Sequence, residues 1–289
     1  MGWLVLCAGC GRIGFAPAAT SDAATGTDAD AIARSWGAGV VVAPLQSNES
    51  TSDPTVTSDG LEMLMIRRSN SAVEGRVLRS TRATTFTEWG VPVDVAELES
   101  PRDEAGPQLS RDGLSVYIAS ERNGGSGSHD VWSAARASLA SAWTTPVRVI
   151  ELSTAGDEGS PGIDGAELHL VSSMNVGSFD LGTSSRASTA APWSTPVLTP
   201  ELNTDSSETT PCLDPSGLVV YFGSDRAGSF DLYVATRPTL TSPFGAPQAI
   251  VELNTPARES DAWITSDGTQ LYYERDAAGR TDIFVSTLQ

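Results

Sequence analysis

The chain has 289 residues, with 36 acidic side chains against 18 basic ones, all of them Arg, and a formal net charge of −18. This acidic balance excludes nucleic-acid binding through phosphates, which needs a basic patch, and favours cationic partners. Hydrophobic residues make up 39%, too many for global disorder, and no run of about 18 apolar residues is present to span a membrane as a helix.

The N-terminus reads MGWLVLCAGC, a short apolar run ending in Cys7-Ala8-Gly9-Cys10. It resembles a bacterial lipoprotein signal, in which small residues precede the cysteine that is acylated. Cys7 stands where that motif has Leu, and no basic residue precedes the apolar run; a start codon assigned too late accounts for the missing charge and the shortness. The resemblance implies a signal over residues 1–10, lipidation at Cys10, and export. A diacyl anchor would then hold the chain in the periplasm or on the outer membrane as its one membrane contact. Residues 11–35 include APAATSDAATGTDADAIARS, which has almost nothing bulky to bury. Such a segment cannot offset its ordering entropy, and it reads as a flexible tether.

From residue 36 the sequence repeats itself. Leu45-Gln46-Ser47, Leu98-Glu99-Ser100, Leu152-Ser153-Thr154, Leu202-Asn203-Thr204 and Leu253-Asn254-Thr255 step by 53, 54, 50 and 51 residues. The aromatics Trp36, Trp89, Trp143, Trp193 and Phe244 keep the same steps. The glycines Gly60, Gly113, Gly165, Gly217 and Gly268 step by 53, 52, 52 and 51. Each unit reads as four short strands. In the second, residues 106–110 form strand a, 114–120 strand b, 130–136 strand c and 147–152 strand d. The Asp112-Gly113 turn is a hairpin signal, because both residues tolerate positive φ.

Tandem four-stranded antiparallel units predict an all-β fold, a β-propeller. Five glycine markers give five blades over residues 36–289. The fifth unit stops after strand c, "DIFVSTL" (282–288), and its missing strand matches "SWGAGVVVAPLQS" (35–47). The N-terminal strand is therefore expected to close the last blade and remove its open edge.

The stretches "PQLSRDGLSVYIASERNGGSGSHDVWSAAR" and "PCLDPSGLVVYFGSDRAGSFDLYVATR" resemble the TolB-type, WD-repeat-like propeller family. The resemblance covers residues 36–289. Blade three departs from its pattern with Ser172-Ser173-Met174, blade five with Arg275-Asp276-Ala277, and blade one has Arg76 where others have the strand-c Asp. It implies an envelope-associated protein-interaction platform without implying one activity.

Four glutamates, Glu104, Glu158, Glu208 and Glu259, sit at one position of their units, a few residues before strand a. With Arg122 and Arg226 of the b–c loops they are expected to meet near the channel mouth. Either they brace each blade as Glu–Arg pairs, or they form a binding rim of carboxylates that recruits a cation or a basic peptide. Asp130, Asp180, Asp231 and Asp282 head the c strands, where a carboxylate can accept amide hydrogens from its own turn. His169 is read as a packed aromatic equivalent to Tyr117, Tyr221 and Tyr272, His129 as alone in its loop, and Cys212 as a small core residue. Two isolated histidines argue against a zinc site. No Ser-His-Asp order, nucleotide loop or EF-hand pattern occurs, so no catalytic residue, metal or cofactor is assigned.

Two function classes follow. Near-equivalent blades without a unique constellation point to a monomeric, non-catalytic scaffold with a protein or peptide partner. The alternative is a glycoside-processing enzyme with funnel carboxylates. That chemistry needs two carboxyls in different environments.

Overall fold

The computed structural model describes residues 32, 34–69, 74–175, 177–277 and 279–289. Its strands form five four-stranded antiparallel sheets, the expected five-bladed propeller. The first strand in the chain, β1 (Val40–Val41), is the last in the fold. Blade 1 contains β2 (Ser50–Val56), β3 (Glu62–Arg68), β4 (Gly75–Thr81) and β5 (Val93–Asp94). Blade 2 contains β6 (Glu104–Leu109), β7 (Ser115–Ser120), β8 (Asp130–Ala135) and β9 (Val147–Arg148). Blade 3 follows with β10 (Glu158–Ile163), β11 (His169–Asn175), β12 (Phe179–Ser185) and β13 (Val197–Leu198). Blade 4 is β14 (Glu208–Leu213), β15 (Val219–Ser224), β16 (Asp231–Thr236) and β17 (Gln248–Ala249). Blade 5 is β18 (Glu259–Ile264), β19 (Gln270–Ala277), β20 (Arg280–Thr287) and β1.

Closure runs through the N-terminal segment. Val40 pairs with Val285 and Val41 with Phe284, and Trp36 bridges Leu288. The Gly37 amide donates to Thr287 O at 2.9 Å, and the Gln289 amide donates to Ser35 O at 3.0 Å. Arg34, just upstream of the expected propeller boundary, also takes part. In blades 1 to 4 an arginine after strand c donates through Nε to the a–b turn, Arg82 to Gly60 O, Arg136 to Gly113 O, Arg186 to Glu167 O and Arg237 to Gly217 O. Each guanidinium also stacks on the aromatic marker seven residues later, at 4.2 Å for Trp89, 4.3 Å for Trp143 and Trp193, and 4.5 Å for Phe244. In blade 5 the a–b turn is held from the N-terminal segment, where Arg34 Nη1 donates to Gly268 O at 3.2 Å.

The leucines of the Leu-x-Ser/Thr marker are fully buried. In blade 2 the last strand is shorter than 147–152, because Ile150–Leu152 turns as a 3-10 helix that drives Leu152 into the core. In blade 3 the left-handed turn position belongs to Glu167 (φ 55°), not Gly165, whose amide instead bonds Pro215 O of blade 4. Two extra residues in "DGAELH" displace the marker, and with Glu167 the turn positions step by 53, 54, 50 and 51 like the others.

Strand a of every blade carries a bulge, seen as a register shift between Ser52 and Thr55, Ala105 and Gln108, Glu158 and Pro161, Thr209 and Cys212, and Ser260 and Trp263. Asp53, Gly106, Thr210 and Asp261 sit in these bulges at φ 47–55°, a conformation that costs a non-glycine residue energy and often marks a functional surface. At the other end of strand a the axis is closed by Arg111. This buried side chain crosses from blade 2 to donate to Leu213 O and Ile264 O, both at 2.7 Å, and stacks on Trp263 at 4.4 Å. Its counterparts are the shorter Ser58, Gly165, Pro215 and Ser266. Cys212 is buried in the adjoining core, as expected.

Candidate functional site

The four repeat glutamates are the first residues of β6, β10, β14 and β18, nearer the strands than the sequence implies, and all are buried. Glu104 pairs with Arg122 at 2.8 Å and Glu208 with Arg226 at 3.1 Å, so the expected b–c loop arginines do meet them. Glu259 has Arg275 at 2.7 Å, the arginine that stands in the divergent Arg-Asp-Ala of blade five. The same guanidinium groups donate to the marker carbonyls Leu98 O, Leu202 O and Leu253 O, at 2.7, 2.6 and 2.8 Å. Thr154, Thr204 and Thr255 donate backbone amides to Glu158, Glu208 and Glu259 at 2.8, 2.9 and 3.0 Å. Glu158 has no arginine partner among the described residues, and burial pushes its carboxyl up.

Where the a strands begin, the propeller opens into a funnel of about 510 Å³ walled by all five blades. Glu158 is the repeat glutamate that reaches this wall. The wall is dominated by groups the repeat pattern does not contain. Asp53 and Asp261 project from the bulges of blades 1 and 5, and Glu274 comes from β19. Arg258 Nη1 lies 2.6 Å from Glu274, and Arg68 lies 3.9 Å from Asp53 and 3.3 Å from Asp103. Burial, then the nearby Glu274 and Asp53 charges, drive Asp261 well above the usual carboxylate range. Burial and Glu274 also raise Asp53. Burial acts against Glu274 too, but Arg258 and hydrogen bonds from Asp261 and Ser260 outweigh it and hold Glu274 low. Hydrogen bonds through Asp261 thus join the three carboxyls at one place.

His129 is not alone. Nε2 lies 3.1 Å from Asp103 and Nδ1 2.9 Å from Asp157, so the ring links blade 2 to the d–a loop of blade 3. Burial alone would lower it; the two aspartates outweigh burial and raise it to about 9. His169 does not occupy the tyrosine position. The strand registers make Val171 the counterpart of Tyr117 and Tyr221, and His169 bonds Asp164 at 2.8 Å at the half-exposed strand start. Of the strand-c aspartates, Asp130 accepts the Ser126 amide at 2.7 Å from its own loop, and Asp282 pairs with Arg280 at 3.1 Å. Cys10 lies outside the described residues.

Sequence reasoning missed Asp53, Asp261 and Glu274. One signal existed: Ser-Asp occurs at 52–53 and 260–261, in the same repeat register as Ala105-Gly106 and Thr209-Thr210. Among the described residues no cluster of three or more His, Cys, Asp or Glu is arranged to hold a metal ion.

No family model matches the chain, and no curated protein does. Solved structures do. TolB from Acinetobacter baumannii superposes with a TM-score of 0.53 at 13% identity over 84% of this chain, which spans 56% of that protein's length. A putative TolB from Agrobacterium tumefaciens gives 0.54 at 13% identity, over 87% of this chain and 85% of that one. A family 117 glycoside hydrolase from the marine bacterium Zobellia galactanivorans gives 0.61 at 11% identity, over 89% and 91%. At these identities the likeness shows the propeller fold alone, and TolB proteins and a glycoside hydrolase match it alike.

Proposed function

We propose that the chain is an exported, lipid-tethered binding propeller that receives a protein or peptide partner at the funnel and performs no chemistry there. The observation that carries this reading is the state of the funnel carboxyls. Asp261, Glu274 and Asp53 are hydrogen-bonded to one another or held by arginine. Glycoside cleavage instead needs two carboxyls standing roughly 5–9.5 Å apart across the scissile bond. The wall also offers one aromatic ring, Phe179, where a sugar needs a platform. Anchoring through Cys10 belongs to the same proposal, and replacing Cys10 by Ala is expected to move the protein from membranes to the soluble fraction. Equal membrane retention of the variant would remove the anchor from the reading.

A second reading has support of its own. Asp261 is pushed up while its neighbour Glu274 is pulled down, the divergence from which an acid and a base are made, and glycoside hydrolases share the fold. Incubation with 4-nitrophenyl arabinofuranoside and with arabinan separates the two. No product is expected; release that disappears in Glu274→Gln would establish the enzyme and reject the non-catalytic reading.

A further inference from the structure

The funnel wall carries five carboxyl groups, Asp53, Asp157, Glu158, Asp261 and Glu274, against three cationic side chains, Arg68, His129 and Arg258. Arg258 is engaged by Glu274, His129 by Asp157 and Asp103, and Arg68 by Asp103 and more distantly Asp53. Asp261 is left over. It is 9% exposed, lines the cavity, and forms no ion pair among the described residues. Its side-chain hydrogen bonds go to the carboxyls of Glu274 and Asp53. On the same wall Thr209 Oγ1 is buried without a partner. A buried carboxyl among carboxyls keeps a proton until a cation replaces it.

We infer that the funnel takes a small organic cation, an ammonium or guanidinium group on a short aliphatic stem, at Asp261 and Thr209. The inference rests on the binding reading above and names the ligand class of that site. An ammonium brings three N–H donors and no acceptor, which suits carboxyl oxygens and, once Thr209 turns its buried hydroxyl toward the funnel, that unpartnered group. Phe179, Ala105 and Ala119 give the wall apolar surface for the stem. A funnel of about 510 Å³ has the size of a small-molecule pocket, so it accepts one side chain of a peptide or one free amine. A metal ion fits less well, since the carboxyls do not converge as a cage. When the cation enters, Asp261 releases its proton to solvent and the charge in the funnel is unchanged. The charged groups that face Asp261 during this exchange are Asp53, Glu274 and Arg258, with Arg68 behind Asp53 and His129, Asp157 and Glu158 on the remaining wall.

The test is calorimetric titration of the full chain with agmatine, with an acetylated Gly-Arg-Gly amide and with arabinotriose, each in two buffers of different ionisation enthalpy. Agmatine is expected to bind with net proton release. Asp261→Asn is expected to weaken it at least tenfold and to abolish the release. Asn tolerates the left-handed backbone that Asp261 adopts, and an unchanged melting temperature verifies that fold is retained. Thr209→Val, which leaves every carboxyl in place, is expected to weaken binding several-fold. Binding of agmatine alone assigns a free amine, and binding of the peptide as well assigns a basic side chain; either supports the inference. Agmatine affinity and proton release unchanged by Asp261→Asn would overturn it. Arabinotriose binding without any amine binding would overturn the cation class while leaving the funnel as a binding site. Failure of all three probes to bind would overturn the cation class and leave the partner-binding reading to stand on partner capture alone.

Discussion

At neutral pH the His129 ring is charged, because Asp103 and Asp157 hold it from both sides and raise it to about 9. The unfolded chain titrates its histidines near about 6.5. A group raised on folding stabilises fully below its unfolded value and loses that contribution as pH climbs through the folded one. The native state is therefore expected to lose stability between pH 7 and pH 9.5. In His129→Gln, which cannot be charged, this decline should flatten, as read from urea midpoints across that range. A decline of equal steepness in the variant would assign it to other groups. The repeat glutamates follow a different rule. Glu208 is fully buried and takes bonds from Arg226, Thr204 and Ser224. Glu208→Gln leaves Arg226 short of its charge partner and should cost roughly 3 kcal/mol, measurable by denaturant unfolding.

At the scale of the element, the arginine clasps explain why blade 5 needs more than a strand. A two-residue ladder, Val40–Val285 and Val41–Phe284, is a weak closure by itself. Trp36 and Arg34 add a buried aromatic and a hydrogen bond to the a–b turn of the same blade. Arg34→Ala should remove about 1 kcal/mol and lower the melting temperature by about 2–4 °C for a chain of this size. Deleting residues 1–46 should lower it much further and expose the edge of β20. An unchanged melting temperature after the deletion would refute closure by this segment. This clasp was available in the sequence as Arg82, Arg136, Arg186 and Arg237, each seven residues before its aromatic. The fifth copy lies at the other end of the chain, so a comparison of successive units does not bring it into line with the other four.

For the whole molecule, the period was legible and the funnel was not, for one physical reason. Blades pack against like blades, so Leu45, Leu98, Leu152, Leu202 and Leu253 fill equivalent core positions and repeat in the sequence. A site that discriminates a ligand has to break that equivalence. Asp53 and Asp261 occupy a position where another blade has Gly106, Glu274 pairs across the sheet with Ser260, and Arg111 replaces small residues at the axis. Each is a departure from the repeat, and a reading built on likeness between units passes over departures. Blade 3 misled for the same reason, since its Asp164-Gly165 looks like the other turns while Glu167 makes the bend. Arg111 belongs to the molecule more than to its blade, because it ties blade 2 to blades 4 and 5 across the axis. Arg111→Ala would strip two carbonyls of their donor and leave a void, and should cost about 3 kcal/mol, whereas a loss below about 0.5 kcal/mol would show the axis to be held by the blades alone.

The bond between Gln289 and Ser35 has one more consequence. The two ends of the described fold touch, so its outline is a ring with a nick, and where the nick falls is a matter of gene order more than of architecture. Joining residue 289 to residue 34 through a short linker and reopening the ring at the exposed 101–102 segment would move the nick to the seam between blades 1 and 2, build every blade from one continuous stretch and leave the funnel intact. In the natural order the nick lies in blade 5, the blade that supplies Asp261 and Glu274. Whatever pulls on the segment upstream of Arg34 therefore pulls on the wall of the funnel.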